Sequence, residues 1–140
     1  AFALTCARLT GQRLYIVAAA LAVAIMAADV LENWQLLAIT RDLGRQPVDN
    51  FLLRLRLFTW LKWGGLALWF LLVRPYFQHA GRFGRFIGLV SILPLLLGVA
   101  AFFSPGLLSE LFALAIGLLF LLLTVYAWRF KRPALTLASA

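Results

Sequence analysis

The stretch LYIVAAALAVAIMAADVLENWQLLAI, residues 14–39, decides the fold class of this chain. It is apolar over roughly the 20 residues that an α-helix needs to cross the hydrocarbon core of a bilayer. A backbone in lipid must satisfy its hydrogen bonds internally, which a helix does within one segment. Arg8, Arg13 and the small residues 22–24 give the stretch a superficial likeness to a signal peptide, but the chain retains it. We therefore expect an uncleaved transmembrane helix.

Three more apolar blocks follow, at residues 51–73, 86–103 and 107–128. Of the 140 residues, 64% are hydrophobic and only 13% are charged, which is too little polar surface to cover a soluble domain. The sequence predicts an all-α membrane protein. In this prediction, residues 1–140 form a single membrane domain, a four-transmembrane-helix antiparallel bundle with short basic tails.

Turn signals separate the four blocks. Residues 44–47, Gly-Arg-Gln-Pro, predict the end of the first helix, and Arg74-Pro75 predicts the end of the second. Residues 81–86 repeat one basic-aromatic triplet, which indicates an interfacial segment. Residues 104–106, Ser-Pro-Gly, predict a tight turn between the last two helices. Connections this short make consecutive helices antiparallel neighbours.

Charge is divided unevenly between the two ends of such a bundle. The end with both termini and the second loop has eight basic residues and no acid, whereas the other end and its adjoining helices have five of each sign. Because cytoplasmic loops are enriched in Lys and Arg, we expect both termini in the cytoplasm, and the chain in a cytoplasmic or inner membrane. Topology and anionic lipid headgroups then account for the net charge of +8, and no nucleic-acid partner is expected. The eight basic residues are Arg8, Arg13, Arg74, Arg82, Arg85, Arg129, Lys131 and Arg132.

Asp29, Glu32 and Asn33 form a polar group inside the first span. Their spacing of i, i+3 and i+4 places them on one face of the helix. An ionised carboxylate at this depth costs about 3 kcal/mol or more unless it is paired, neutralised or hydrated. A partner on another helix is therefore expected.

The second helix supplies that partner. In an antiparallel hairpin, residues at equal depth have numbers that sum to about 90, because both helices rise equally per residue. This register pairs Asp29 with Lys62 and sets Glu32 beside Thr59. Arg56 lies one turn outward, from where it can reach Glu32 by snorkelling.

Small residues predict where helices approach one another closely. Gly64 and Gly65 meet the stretch 24–28 in the same register. In the third helix, Pro94 predicts a static kink, with Ser91 placed to compensate for a freed carbonyl. The residues expected in close helix packing are Ala24, Ala28, Gly64, Gly65, Gly88, Ser91, Gly98 and Gly117.

Composition argues against most catalytic chemistry. Cys6 and His79 are the only cysteine and histidine, so an intrachain disulfide, a Cys/His zinc site and a bis-histidine haem are excluded. Neither Ser104 nor Ser109 has a histidine nearby in sequence that could act as its base. We expect no cofactor, no metal and no catalytic residue. A membrane enzyme that modifies lipid through its carboxylates ranks third among the functions considered.

Three functions are open to the polar residues of the first two helices. They can form a hydrogen-bonded clamp that locks the two helices, a proton- or ion-coupled transport site, or a docking point for another subunit or a lipid headgroup. Since almost no mass lies outside the membrane, we expect an accessory or structural subunit of a larger membrane assembly. Its partners are then membrane lipids and other membrane chains or further copies of itself. The alternative is an oligomeric transporter or channel for ions, protons or small cations that uses Asp29 and Glu32.

Overall fold

The computed structural model describes residues 2–42, 49–104 and 106–129, and within these ranges all regular elements are helices. The turn predicted at residues 44–47, Pro105 and the basic C-terminal tail lie outside the described residues. The helices are α1 (Phe2–Thr10), α2 (Arg13–Asp42), α3 (Asp49–Gln78), α4 (Gly81–Val90), α5 (Leu93–Phe103) and α6 (Leu107–Arg129).

Four helical segments are long and apolar enough to cross a membrane. They are Arg13–Arg41, Phe51–Gln78, Gly81–Phe103 and Leu107–Arg129. The third of these combines α4 and α5. These findings confirm the predicted helical class and give four candidate spans, as expected of an integral membrane protein.

Helix α3 continues through Pro75 to Gln78, beyond the end predicted at Val73. Proline lacks a backbone N–H and crowds the carbonyl four residues back, but in the last turn few helical hydrogen bonds follow it. Packing explains the continuation, because Phe77 is fully buried and stacks on Phe2 with ring centroids 5.7 Å apart. A bend at Pro75 would remove Phe77 from this contact.

The chain turns from α3 into α4 at Gly81, whose φ of 74° is a left-handed conformation that favours glycine. Helix α4 thus begins before the predicted residue 86, and the basic-aromatic segment 81–86 is helical. Arg74 Nε donates a hydrogen bond to the carbonyl of Gly88 at 3.0 Å. This bond ties α3 to α4, and the helices approach most closely at Gly84, where a Cβ would lie 2.7 Å from the carbonyl oxygen of Phe77.

The third span is interrupted at Ser91 and Ile92, where the sequence predicts only a kink. Pro94 lies in the first turn of α5, a position where a proline's missing N–H costs little. The fully buried hydroxyl of Ser91 donates to the carbonyl of Ile87 at 2.8 Å. The Ile87 carbonyl also accepts the Ser91 N–H at 2.9 Å, so the hydroxyl adds a second bond to it. The hydroxyl therefore does not bind the carbonyl of Val90 that Pro94 frees, and the predicted compensation is not made.

Helix α1 has no counterpart in the apolar pattern, since its nine residues are too few for a span. Gly11 ends it with a φ of 68°, and the Gly11 N–H donates to the carbonyl of Ala7 at 2.9 Å. Ala3 and Cys6 are buried, and Phe2 joins the aromatic core. The N-terminal helix thus packs back onto the bundle.

The buried face of α6 differs from the predicted one. Gly117 is exposed, and a Cβ built on it would meet no atom within 4 Å. The contact with α5 is made instead by Phe112, whose ring packs against Gly98. A Cβ built on Gly98 would lie 3.0 Å from Cζ of Phe112. The Phe112 ring covers more of the α5 surface than packing through Gly117 would. The residues of the buried face follow an i, i+3, i+4, i+7 pattern and are Phe112, Ala115, Ile116 and Leu119.

The two glycines at the middle of α3 have different environments. A Cβ on Gly65 would lie 2.8 Å from Cγ1 of Ile25, whereas a Cβ on Gly64 would meet nothing within 4 Å. On the α2 side, Ala28 is buried and Ala24 is exposed. Consecutive helical residues point about 100° apart, so only one of two adjacent glycines can face α2 directly.

Candidate functional site

Asp29, Glu32, Thr59 and Lys62 form a cluster that we call the ion cluster. Lys62 Nζ lies 2.8 Å from Asp29 Oδ1 and 2.5 Å from Glu32 Oε2. The hydroxyl of Thr59 donates a hydrogen bond to Glu32 Oε1 at 2.6 Å. All three interactions join α2 to α3, so the cluster fastens these helices together.

The positions of these residues along their helices explain the cluster. Asp29 and Glu32 stand one turn apart on α2, as do Thr59 and Lys62 on α3. The Asp29–Lys62 and Glu32–Thr59 contacts follow the predicted register, in which partners at equal depth have numbers that sum to about 90. The contact of Lys62 with Glu32 is additional to that register. It requires the long lysine side chain to reach one turn along α2.

The cluster lies near the midpoints of two long helices. At a rise of about 1.5 Å per residue, Asp29 and Lys62 are each roughly 20–24 Å from both ends of their helices. Both helices are candidate membrane spans, so these charged groups lie at a depth where lone ions are costly. Their pairing reduces that cost.

Burial differs among the three charged side chains. The Glu32 side chain is 11% exposed and the Lys62 side chain 22%, whereas that of Asp29 is 48% exposed. Lys62 Nζ also lies 5.5 Å from the centre of the Trp63 ring, within range of a cation–π attraction. Both oxygens of Glu32 have a donor. With all groups ionised, two carboxylates share one ammonium, and one negative charge stays uncompensated.

Two residues expected in the cluster lie outside it. Asn33 is exposed, and no side-chain hydrogen bond or ion pair joins it to Asp29 or Glu32. Arg56 is also exposed, and it makes no ion pair with any side chain that the structure describes. Lys62 binds the Glu32 carboxylate in place of Arg56.

Gln35 is a polar residue near the cluster that the sequence pattern did not single out. It stands one turn beyond Glu32 on α2, and its Oε1 is buried without a hydrogen-bond partner among the described residues. Its spacing of i+3 from Glu32 could have predicted that it lies close to Glu32 on α2. Gln35 extends the polar side of α2 toward the end of the helix at Asp42.

A cavity of about 490 Å³ adjoins the ion cluster through Thr59, and we call it the Arg56 cavity. It lies between α3 and the ends of α5 and α6 that flank residues 104–106. Its lining contains Arg56 and Ser109 together with an aromatic wall. The wall consists of Trp60, Trp63, Phe102 and Phe112.

A second cavity of about 490 Å³ lies along α2 and α3, and we call it the α2/α3 groove. It is where the exposed Ala24 and the open position at Gly64 are found. Small side chains on both helices leave this space unfilled. The small residues that line it are Ala24, Ala27, Ala28, Gly64 and Gly65.

The other candidate reactive group is Cys6, which is buried in α1. Burial raises the pKa of the Cys6 thiol to about 11, so the thiol is protonated and unreactive at neutral pH. Among the described residues, no group of three His, Cys, Asp or Glu side chains could hold a metal ion. The carboxylates Asp29 and Glu32 face an ammonium instead.

No protein-family model, curated protein or solved structure matches this chain. Among the described residues, the features that bear on function are the ion cluster, the Arg56 cavity and the α2/α3 groove.

Proposed function

We propose that this protein is an accessory or structural subunit of a larger membrane assembly, without a catalytic reaction of its own. In this proposal the ion cluster is a clamp that holds α2 and α3 in a fixed antiparallel arrangement. The α2/α3 groove then receives a helix from another chain.

The hydrogen bonds and ion pairs of the cluster support the role of a clamp, because they all connect α2 with α3. Both oxygens of Glu32 have donors from α3, and Lys62 reaches both carboxylates. Pairing within the chain is what a structural role requires, since both carboxylates find a hydrogen-bond donor on α3 without a ligand. The clamp keeps the two walls of the groove at a constant separation.

The open groove is the observation that carries the subunit proposal. Helices in lipid associate through small residues that let backbones approach, because no hydrophobic effect drives them together. Ala24, Ala27 and Gly64 offer such a surface to the outside, and Gly64 has free space where a side chain would be. A helix carrying a protruding apolar side chain could fill this space.

We further propose that both termini face the cytoplasm and that the chain resides in a cytoplasmic or inner membrane. The excess of Lys and Arg at the end with α1 and the α3–α4 turn supports this orientation. Anionic headgroups at that face are then additional partners.

The subunit proposal is tested by filling the groove. Gly64→Leu and Gly117→Leu place the same side chain at two helical glycines whose Cβ positions both meet open space. We expect the native protein, extracted in mild detergent, to migrate as a complex much larger than its 15.6 kDa chain. Gly64→Leu should release the single chain, and Gly117→Leu should leave the complex intact. Release by both variants alike, or a native protein of single-chain mass, would contradict the proposal.

A proton- or cation-coupled transporter is the second candidate, and one observation favours it. The cluster keeps one uncompensated negative charge, and the Asp29 side chain is 48% exposed. Carboxylates within membrane spans often mark ion pathways. If Asp29→Asn leaves the fold intact but abolishes cation-dependent uptake into proteoliposomes, transport replaces the clamp as the function.

A further inference from the structure

The Arg56 cavity has a polar rim and an apolar floor. Ser109 lies in the first turn of α6, at the same end of the bundle as residues 104–106. Arg56 lies on α3 about 10 Å from Trp63, two helical turns nearer the helix start. The cavity therefore runs from a guanidinium and a hydroxyl near the starts of α3 and α6 to aromatic rings nearer the middle of the candidate spans.

The aromatic floor is built by contacts among the helices themselves. The Trp60 ring lies 5.3 Å from Phe102 and 6.5 Å from Phe112, and Trp63 lies 6.2 Å from Phe112. These rings fix the cavity walls from α3, α5 and α6. Its volume of about 490 Å³ is within the range of roughly 300–1,000 Å³ that small-molecule sites occupy.

The charge of the cavity indicates the ligand. Arg56 has no carboxylate partner among the described side chains, because Asp29 and Glu32 are both bound to Lys62. The Ser109 hydroxyl likewise makes no hydrogen bond within the described part of the chain. Guanidinium groups bind phosphate with two parallel hydrogen bonds, and hydroxyl groups add a further donor. An anionic group fits this rim, and a hydrocarbon chain fits the rings below it.

We propose that the Arg56 cavity binds one anionic phospholipid, with the phosphate on Arg56 and Ser109 and one acyl chain against Trp60, Trp63 and Phe112. The bilayer supplies this ligand in large excess, and its polar and apolar parts have the same order along the membrane normal as those of the cavity. The site shares Trp60 with the α2/α3 groove. Of these two cavities, however, only the Arg56 cavity is lined by Arg56, Ser109 and Phe112, so its polar end does not depend on the proposed subunit interface.

Tryptophan quenching tests the site because two of its rings report on it. The variant Trp34→Phe, Trp69→Phe, Trp128→Phe leaves Trp60 and Trp63 as the fluorescent residues of a chain with five tryptophans. This protein is reconstituted in dioleoyl phosphatidylcholine with rising fractions of dibrominated phosphatidylglycerol or dibrominated phosphatidylcholine. We expect half-quenching at about fivefold less of the glycerol lipid, the ratio expected for one arginine beside a lipid with a net negative charge, which phosphatidylcholine lacks.

Arg56→Gln should remove this preference, whereas Arg54→Gln should retain it. Arg54 is the matched control because it is an exposed arginine on the same helix that does not line the cavity. Ala113→Leu narrows the cavity and should reduce quenching by both lipids, and Ala127→Leu on the exposed side of α6 should not. Native mass spectrometry of the unsubstituted protein should show one retained phosphatidylglycerol, which Arg56→Gln loses.

Equal quenching by the two lipids, or equal effects of Arg54→Gln and Arg56→Gln, would overturn the proposal. An Arg56-dependent response to dibromostearate that matches the response to phosphatidylglycerol would assign the cavity to a free fatty acid instead. If no brominated lipid quenches Trp60 and Trp63, and native mass spectra show a second protein bound to this chain, the cavity would be assigned to a partner chain.

Discussion

Lys62 is the residue on which the ion cluster depends. Its ammonium contacts both carboxylates, so its loss leaves Asp29 and Glu32 facing each other's charge near mid-depth of the membrane spans. Loss of Asp29 has a smaller consequence, because Lys62 and Glu32 then form a neutral pair that Thr59 still supports. The three charged positions therefore differ in their contribution to stability.

We expect Lys62→Met to lower the free energy of unfolding by about 3 kcal/mol, the cost of leaving a buried charge unpaired. Asp29→Asn should cost about 1 kcal/mol or less, the net value of one hydrogen bond, since Lys62 keeps Glu32 as its partner and the remaining pair is neutral. Unfolding in mixed micelles with rising dodecyl sulfate, followed by circular dichroism, measures both values. Arg54→Met, which removes an exposed cation from the same helix, is the control. Equal losses for Lys62→Met and Asp29→Asn would contradict the central position of Lys62.

The sequence was sufficient for two of the contacts in the cluster and not for the third. The pairs Asp29–Lys62 and Glu32–Thr59 follow from helical rise and one hairpin register, which short connections determine. The Lys62–Glu32 contact depends on the rotamer of a long side chain. No periodicity in the sequence specifies that rotamer, and the same is true of the direction that Arg56 takes into its cavity.

At the scale of single helices, Gly64 and Gly65 allow the effect of packing on stability to be distinguished from the effect of helix propensity. Both are helical glycines, but a Cβ at Gly65 would lie 2.8 Å from Cγ1 of Ile25 and one at Gly64 would meet open space. Ile25 is buried and β-branched, so its side chain has little freedom to move away. The two positions thus differ in packing while sharing backbone geometry.

Gly64→Ala should stabilise the protein by about 0.5–1 kcal/mol, the difference in helix propensity between the two residues. Gly65→Ala gains the same propensity but must displace Ile25, so we expect it to be less stable than Gly64→Ala by about 1–3 kcal/mol, the usual cost of overpacking. Thermal unfolding in one detergent gives the ranking. If the two variants are equally stable, α2 and α3 are not in close contact at Gly65.

The ends of a helix were predictable where the length of the apolar block sets them. They were less predictable where contacts with other helices set them. The starts of α2 and α6 follow from the apolar blocks, because a spanning backbone must be helical. The continuation of α3 past Pro75 depends on the burial of Phe77, and α1 depends on Phe2 reaching the same aromatic core. These contacts join residues far apart in sequence, which local patterns do not encode.

At the scale of the whole molecule, charge is divided unevenly between the two ends of the bundle, and this asymmetry supports the proposed orientation. Within the described residues, the end with α1 and the α3–α4 turn has six arginines and no acid. They are Arg8, Arg13, Arg74, Arg82, Arg85 and Arg129. In the sequence of the opposite end, four arginines stand against three acids, so the charges nearly cancel. Retention of basic residues on the cytoplasmic side therefore favours one orientation.

Cysteines at Thr40 and Gln78 test this orientation without altering any charge. Both residues are exposed, and they lie at the C-terminal ends of α2 and α3, so the candidate span of α3 separates them. In a Cys6→Ala background, a membrane-impermeant maleimide should label Thr40→Cys from outside intact cells and Gln78→Cys only after the membrane is opened. If Gln78→Cys were labelled from outside and Thr40→Cys only after opening, the orientation would be the opposite of the one proposed. Labelling of both cysteines from one side would mean that α3 does not cross the membrane. If Arg82→Glu and Arg85→Glu together make Gln78→Cys accessible from outside, the basic residues of α4 are what hold the cytoplasmic end in place.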